Sequence, residues 1–451
     1  MSETTSRPEL DISYRNLLKV AIPISLGGFV QFLVTITDNA FLSQVGMNVM
    51  NGAGLGSMLF VTLIMLGIGL ASGAQIIIAR RYNQHLPREV GTVFSNTFYL
   101  SIAMSIGILV LMLLTMGPLF EFLVNSEVVR QYMTEYMEIR FFSLIVYIPA
   151  LVIAGMYMGL GRTRVLIYST AVTALVNLGL DWVLIFGHFG FEPMGIQGAA
   201  IATLTAEVIN ITFLWGYSMA TGIFKEFGIG AALRTFSWSQ SRHILKISLP
   251  IMGQQAVALA TWTVFFMMVE KLGEQELMSG QIIRFMYLLV FVSILGISQS
   301  TKTFVSSTIA QERQDLFPVL LRRLIVINVG GMLLLSHGMI LYPDFISGIF
   351  TQDEHIQMLT RRSMLTVYPA LLLACFSSIF LNTVEGSGKT RYAAFIEVTS
   401  SVTYLVLTYY VAVVNPQPIY RVWMNDYLYF GMIVVLSILV LRYTNWKYQK
   451  V

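Results

Sequence analysis

Charge is the scarcest property of this chain. Only 12% of its 451 residues are Asp, Glu, Lys or Arg, about half the share of a soluble domain, which is roughly 25%. That scarcity excludes a water-soluble globular domain, and it means that the net charge of +4 is no signal for a nucleic-acid partner. Cysteine is nearly absent as well. Cys375 stands alone, which excludes a disulfide framework and a cysteine-based metal site. The five histidines form no H-x-x-x-H pair. H-E-x-x-H, paired G-x-G-D and Ser/His constellations are missing from the apolar stretches, so an enzyme is not expected. The opening MSETTSRPELDISYRN is polar and carries both charge signs. It lacks the apolar core of a cleavable signal peptide.

What the chain has instead is 56% hydrophobic residues, gathered into long blocks. About 20 apolar residues suffice to cross a hydrocarbon core of about 30 Å. Twelve such segments cover 16–42, 52–78, 90–116, 131–158, 164–187, 195–219, 244–270, 278–305, 318–342, 360–385, 391–414 and 420–442. The expected fold is an all-α integral membrane protein of twelve transmembrane helices. No connection is long enough for a soluble domain; the longest, 220–243, carries Lys225, Arg234 and Arg242.

The basic residues orient the bundle. One set of connections and ends holds Arg7, Arg15 and Lys19, then Arg80, Arg81 and Arg88, then Arg162 and Arg164. The same side holds Lys225, Arg234, Arg242 and Lys246, then Arg313, Arg322 and Arg323, then Lys389 and Arg391, and finally Arg442, Lys447 and Lys450. The opposite side holds only Arg130, Arg140, Lys271, Arg361, Arg362 and Arg421. Basic loops stay in the cytoplasm, so a multi-pass protein of the cell (inner) membrane with both termini cytoplasmic is expected. We call the richer side the basic face and the other the far face.

The chain repeats itself at an offset of 227. LLKVAIPI at 17–24 falls on ILKISLPI at 244–251, Pro23 on Pro250, Lys19 on Lys246 and Gly46 on Gly273, and GLGRTR at 159–164 on GSGKTR at 386–391. Each half holds six spans, so both enter the membrane in the same direction, a parallel repeat about an axis along the membrane normal. Residues 1–220 are read as one six-helix lobe, 221–243 as a cytoplasmic linker and 244–451 as the second lobe. GSGKT is no phosphate loop: the first glycine of that motif is replaced by Thr383, and a membrane span precedes it where a strand is required. No nucleotide partner is expected, and transport by such a chain must draw on an ion gradient or on the substrate's own.

Charged groups inside spans cost about 2.5–3.5 kcal/mol at the helix centre, and they mark function by default. Here they are Asp38, Asp181, Glu207, Arg284, Lys302, Glu385 and Glu397. Lys302, Glu385 and Glu397 lie near the basic-face ends and are expected to reach water. Arg284 is deeper, a packing residue or a possible cleft cation. Asp38, Asp181 and Glu207 share the first half. Span directions put Asp38, Asp181 and Thr203 at one depth and Asn177 and Glu207 one turn, about 6 Å, deeper. Gln31, Thr35 and Asp38 share a face of span 1. Two polar layers of this kind suit a hard cation such as sodium, and two adjoining carboxylates can equally hold one proton. At the offset of 227, Asp38, Asn177 and Asp181 meet Phe265, Tyr404 and Thr408. Whatever the acids do, one half does it.

On these residues the chain resembles the MATE family of multidrug and toxic compound extrusion transporters. The likeness rests on NLGLDWVLIFGHFGFEPMGIQGAAIAT at 177–203, on Pro23 and Asp38, on the two basic turns and on QIIRF and SQSTKT in span 8. It implies twelve helices in two six-helix lobes around a central cleft. It also implies export of cationic or amphiphilic compounds in exchange for sodium or protons, with no other cofactor. In one branch of the family the ion site lies in the N-terminal lobe; its residues fall on Asp38, Asn177, Asp181 and Thr203. The other branch adds acids where this chain has Ala258 and Ala374. Glu207 is not part of that pattern, and its place beside Gln31 and Thr35 as a second layer comes from the helix geometry alone.

The 25 methionines and 12% aromatics suit a plastic apolar cleft for a small-molecule partner, an organic cation or amphiphile. A monomer in the lipid bilayer is expected. The alternative function is a lipid-linked saccharide flippase of the same superfamily, whose cleft needs several cations where this chain offers Arg284. The orientation is directly testable. With Cys375 replaced, His85→Cys is expected to be protected from an impermeant thiol reagent in intact cells and Glu127→Cys to be labelled. Labelling of position 85 alone reverses the orientation.

Overall fold

The computed structural model describes residues 10–448. The first nine residues, with Arg7, and the last three, with Lys450, lie outside the described residues. Twelve helices are long and apolar enough to cross a membrane. The first six are α1 (Tyr14–Val45), α2 (Met47–Asn83), α3 (Pro87–Leu123), α4 (Glu127–Gly159), α5 (Arg164–Phe186) and α6 (Gly195–Ala220). The second six are α7 (Trp238–Glu270), α8 (Glu274–Ala310), α9 (Phe317–Ser336), α10 (Glu354–Gly386), α11 (Thr390–Tyr409) and α12 (Asn425–Tyr443).

The repeat is carried by the details of the chain as well as its outline. α2 and α8 are both 37 residues long, and α4 and α10 both 33. The side chains of Ser126 and Asp353, equivalent at the offset of 227, accept from backbone N–H groups in the first turns of α4 and α10. Such caps satisfy N–H groups that have no partner in the helix. Gly161 and Gly388 end the two basic turns at φ 68° and 91°, in the left-handed region where glycine alone is unstrained. The turns are therefore conformational punctuation, as their sequence predicts.

The halves differ most in their third helices. α3 runs unbroken to Leu123, but α9 stops at Ser336, short of the expected 342, and gives way to the short helices Gly338–Leu341 and Pro343–Phe350. Proline has no N–H to donate and bars the helical region to the residue before it; Tyr342 sits at φ −147°, ψ 57°. The connection between the lobes also departs from expectation. It forms the short helices Ile223–Glu226 and Ile229–Ala232, and α7 begins at Trp238, before the expected 244. Ile223, Phe227 and Ile229 are buried in the first lobe's core. Arg162 clasps Glu226 through both terminal nitrogens, at 2.6 and 2.7 Å. Asn96 on α3 then pins the start of α7: its Oδ1 accepts from the Ser237 N–H at 2.9 Å and from Ser241 Oγ at 3.2 Å.

The lobes meet where α2 packs on α7 and α8 on α1. Backbones come close there because the residues are small. A Cβ on Gly69 would lie 2.6 Å from Met252 Cα, and one on Gly296 2.2 Å from Ser25 Oγ. Gly69 and Gly296 are equivalent at the offset of 227, and so are Ser25 and Met252. A polar belt closes the same half of the bundle. Gln75 Nε2 donates to Thr303 Oγ1 at 2.9 Å, Thr303 Oγ1 to the Met158 carbonyl at 2.9 Å and Ser306 Oγ to the Ile76 carbonyl at 2.8 Å. Arg80 Nη2 reaches the carbonyls of Gly386 and Ser387 at the end of α10, both at 3.3 Å, where a helix leaves carbonyls without partners. Asn83 Nδ2 donates to Ser307 Oγ at 2.8 Å. Among the described residues, every hydrogen bond between the lobes lies in the half nearer the basic face. The polar attachment between the lobes is concentrated there.

This arrangement predicts a cross-link. With Cys375 replaced, the pair Asn83→Cys and Ser307→Cys is expected to form a disulfide readily under mild oxidation. Adding Gly296→Leu, which cannot fit against Ser25, should cut the yield several-fold; an unchanged yield means that the two faces do not depend on that close approach.

Candidate functional site

The acids of the first lobe converge. On α5, Asp181 is fully buried and Asn177 nearly so; their spacing of one turn puts both toward α6 and α1. Asn177 Nδ2 donates to Thr203 Oγ1 on α6 at 3.3 Å, and Thr203 passes its own hydrogen to the Ala199 carbonyl at 2.9 Å. From α1 the carboxyl of Asp38 comes against that of Asp181, and the Asn177 side chain also lies beside Asp181. Asp38 Oδ1, Asn177 Oδ1 and both oxygens of Asp181 are buried without a donor in hydrogen-bond geometry. The cluster is a set of acceptors with no protein cation among them. Such a set is costly as it stands, and two species relieve it: a proton held between the carboxyls or a small hard cation gathered by the oxygens.

The two expected layers are not both present. Asn177, placed in the inner layer, bonds to Thr203 of the outer one. Glu207 turns away from the acids and is taken by Arg140 on α4, whose Nη1 lies 3.0 Å from Glu207 Oε1 and 2.7 Å from Ser143 Oγ. The guanidinium rests 4.0 Å above the Phe60 ring. Both side chains are buried. Arg140, which its place in the sequence puts among the far-face loop cations, is an interior residue. Thr35 donates to the Gln31 carbonyl at 3.1 Å. Gln31 does face the site: it lines a cavity of about 280 Å³ together with Asn177, Thr203, Glu207, Tyr147 and Leu295. Arg284 sits with its guanidinium 5.7 Å from the centre of the Phe266 ring and lines neither this cavity nor the one described next.

The second lobe corrects the reading of its charges. Lys302 and Glu385 do not reach water. They form a buried ion pair at 2.8 Å, to which Gln254 Nε2 adds a hydrogen bond to Glu385 at 2.8 Å. Lys302 also donates to Ser72 of the first lobe at 3.4 Å. Glu397 is buried as well and accepts from Tyr429 Oη at 2.5 Å. Phe265 and Tyr404, the counterparts of Asp38 and Asn177, touch as their equivalents' neighbours do, but as stacked rings 5.7 Å apart. Thr408 accepts from Asn425 at 3.2 Å. One acid escaped the sequence reading altogether. Asp426, in the first turn of α12, is buried, accepts from Tyr287 and lines a second cavity of about 470 Å³ between α7, α8, α11 and α12. Only its place inside an apolar block could have flagged it.

The MatE family matches residues 23–183 and again 250–410, two stretches separated by the same offset of 227. The probable multidrug resistance protein NorM of Thermotoga maritima is 24% identical over 384 residues, covering 83% of this chain and 80% of that protein. The NorM of Rhizobium meliloti is 25% identical over 288 residues, 64% of this chain and 61% of that one. Among solved structures, a multidrug resistance MATE family transporter in an outward-facing conformation has a TM-score of 0.84 at 19% identity and covers 98% of both chains. A MOP superfamily transporter from Pyrococcus furiosus has the same TM-score and identity and covers 97% of each.

The Arg140–Glu207 pair generates a stability prediction. Removing one partner of a buried pair costs about 3–5 kcal/mol, and replacing both by apolar groups is often nearly neutral. Arg140→Met should lower the thermal midpoint of the purified protein markedly, and Arg140→Met/Glu207→Leu should recover most of it. Failure to recover means that Arg140 acts through something other than Glu207.

Proposed function

This chain belongs to the MatE family, and on that premise we propose that it is a secondary active antiporter that exports cationic or amphiphilic small molecules in exchange for protons or sodium ions. The observation that carries this reading is the cluster of Asp38, Asn177, Asp181 and Thr203, in which Asp38 Oδ1, Asn177 Oδ1 and both Asp181 oxygens are buried without a donor. A cluster short of one positive charge binds a cation or proton well in its present form and poorly once the surrounding helices move. Its affinity therefore depends on conformation, which is what coupling requires. In this reading the ion is a transported substrate and the protein needs no other cofactor.

The concentration of inter-lobe hydrogen bonds near the basic face supports an outward-open state, with the basic face in the cytoplasm of an inner membrane. Residues 1–220 form the coupling lobe and 244–451 the lobe that shapes the cleft, the protein acting as a monomer. Glu207, neutralised by Arg140, holds α4 to α6 and sets the floor of the coupling cavity. The flippase alternative needs cations to meet a pyrophosphate. Neither interior cavity has a lysine or arginine in its lining, so the antiport reading is favoured.

The test is export of a fluorescent organic cation from proteoliposomes with sodium and pH gradients imposed separately. Asp38→Asn and Asp181→Asn should each reduce gradient-driven export to background, about tenfold or more, while the proteins still insert and fold. An amide cannot release a proton and weakens a sodium site. Export at the unmodified rate by both variants sinks the coupling role.

A further inference from the structure

We propose that the cavity of the second lobe, walled by Trp262, Tyr287 and Tyr404 and ending on Asp426, is a binding subsite for a lipophilic organic monocation. The purpose of such a site rests on the export reading above; its existence is tested by binding alone.

The argument starts from the counter-charge of each buried acid. Glu207 has Arg140 and Glu385 has Lys302. Asp38 and Asp181 face each other without a cation between them, and Glu397 accepts only from the hydroxyls of Tyr429 and Ser401. Asp426 has no lysine, arginine or histidine within ion-pair distance among the described residues. What it has are two phenols, Tyr287, which donates to its Oδ2, and Tyr404, and the first turn of α12. A helix start favours a negative charge, and phenol donors solvate a carboxylate without neutralising it. The phenols and the helix start favour the charged form against the cost of burial, and no cation of the protein neutralises it.

Around that anion the wall is aromatic. Trp262 packs edge-on to Tyr287 at 5.6 Å, and the lining adds Phe291, Tyr404 and Tyr429. Ring faces attract cations and tolerate varied shapes. They offer almost no oxygen ligands, so an inorganic ion that must replace its hydration shell is poorly served. At about 470 Å³ the space lies within the roughly 300–1,000 Å³ of pockets for drug-sized molecules. It is not sealed inside one lobe: Met65 of α2 belongs to its wall, and Leu295 borders both this cavity and the one above the first-lobe acids. A guest held here lies between the lobes and beside the coupling cavity. Ala258, on the same wall, leaves the space open where a larger side chain would fill it.

The experiment is equilibrium binding of radiolabelled tetraphenylphosphonium to the purified full-length protein, with neutral triphenylphosphine oxide as the comparison. Asp426→Asn should weaken the cation by about tenfold or more and leave the neutral compound within twofold. Asp426→Glu should restore part of the cation affinity. Ala258→Trp, which fills the cavity from α7 and leaves Asp426 untouched, should abolish binding of both compounds; it keeps the test decisive if Asp426→Asn does not fold. Unchanged cation affinity in Asp426→Asn and Ala258→Trp overturns the proposal. So does unchanged binding in Asp426→Asn with an altered ion-to-substrate ratio, which makes Asp426 a coupling group instead. Binding to the purified protein is read without any ion gradient, so normal gradient-driven export by Asp38→Asn and Asp181→Asn would remove the coupling reading without touching this one.

Discussion

A carboxylate inside a membrane-spanning bundle must find positive charge or give up its own, and the organisation of this protein follows from how each acid meets that demand. Glu207 and Glu385 are met by Arg140 and Lys302, and both pairs tie helices together. The remaining acids are left to protons, cations or phenols. The division separates scaffold from working site more sharply than depth does, since Glu207 and Asn177 share a cavity wall, yet Glu207 is paired with Arg140 and Asn177 lies beside the unpaired Asp181.

The duplicated scaffold shows how little of the chemistry is dictated by the fold. Equivalent helices bring equivalent positions together in both lobes, yet one lobe fills them with Asp38, Asn177 and Asp181 and the other with Phe265, Tyr404 and Thr408. Packing is satisfied either way, because a stacked aromatic pair and a polar cluster occupy the same junction of helices. Gln75 and Lys302, also equivalent at the offset of 227, diverge in the same manner: one bridges the lobes by neutral hydrogen bonds, the other anchors an ion pair. Duplication fixed the places and left their charge free to change.

The twelve spans, their direction and the repeat were legible because lipid imposes a pattern that survives along the chain: apolar blocks, basic loops and paired prolines. The convergence of Asp38, Asn177 and Asp181 was legible because helical spacing fixes depth. Pairings between distant helices were not. Arg140 looks like a loop cation until α4 is folded against α6, and its partner is 67 residues away. Lys302 and Glu385 lie near helix ends where snorkelling is normal, but the neighbouring lobe covers those ends. Asp426 falls inside the 420–442 block, but its phenol partners Tyr287 and Tyr404 lie on other helices, so nothing near it in the chain marks it. Burial by a second lobe is a property of assembly, and no local pattern announces it.

Asn96 gives the molecule a fulcrum. Its single carboxamide oxygen holds both Ser237 and Ser241, and the segment before them packs onto the first lobe, so the covalent link between the lobes is fixed at the root of one long helix. That helix is 33 residues long, a lever arm of roughly 50 Å, and a swing of roughly 10° about its root displaces the tip by roughly 9 Å. Motion at the pinned end is measured in fractions of an ångström, while the distant end sweeps a width comparable to a small organic molecule. The gearing of the whole bundle is set by where one asparagine fastens one helix.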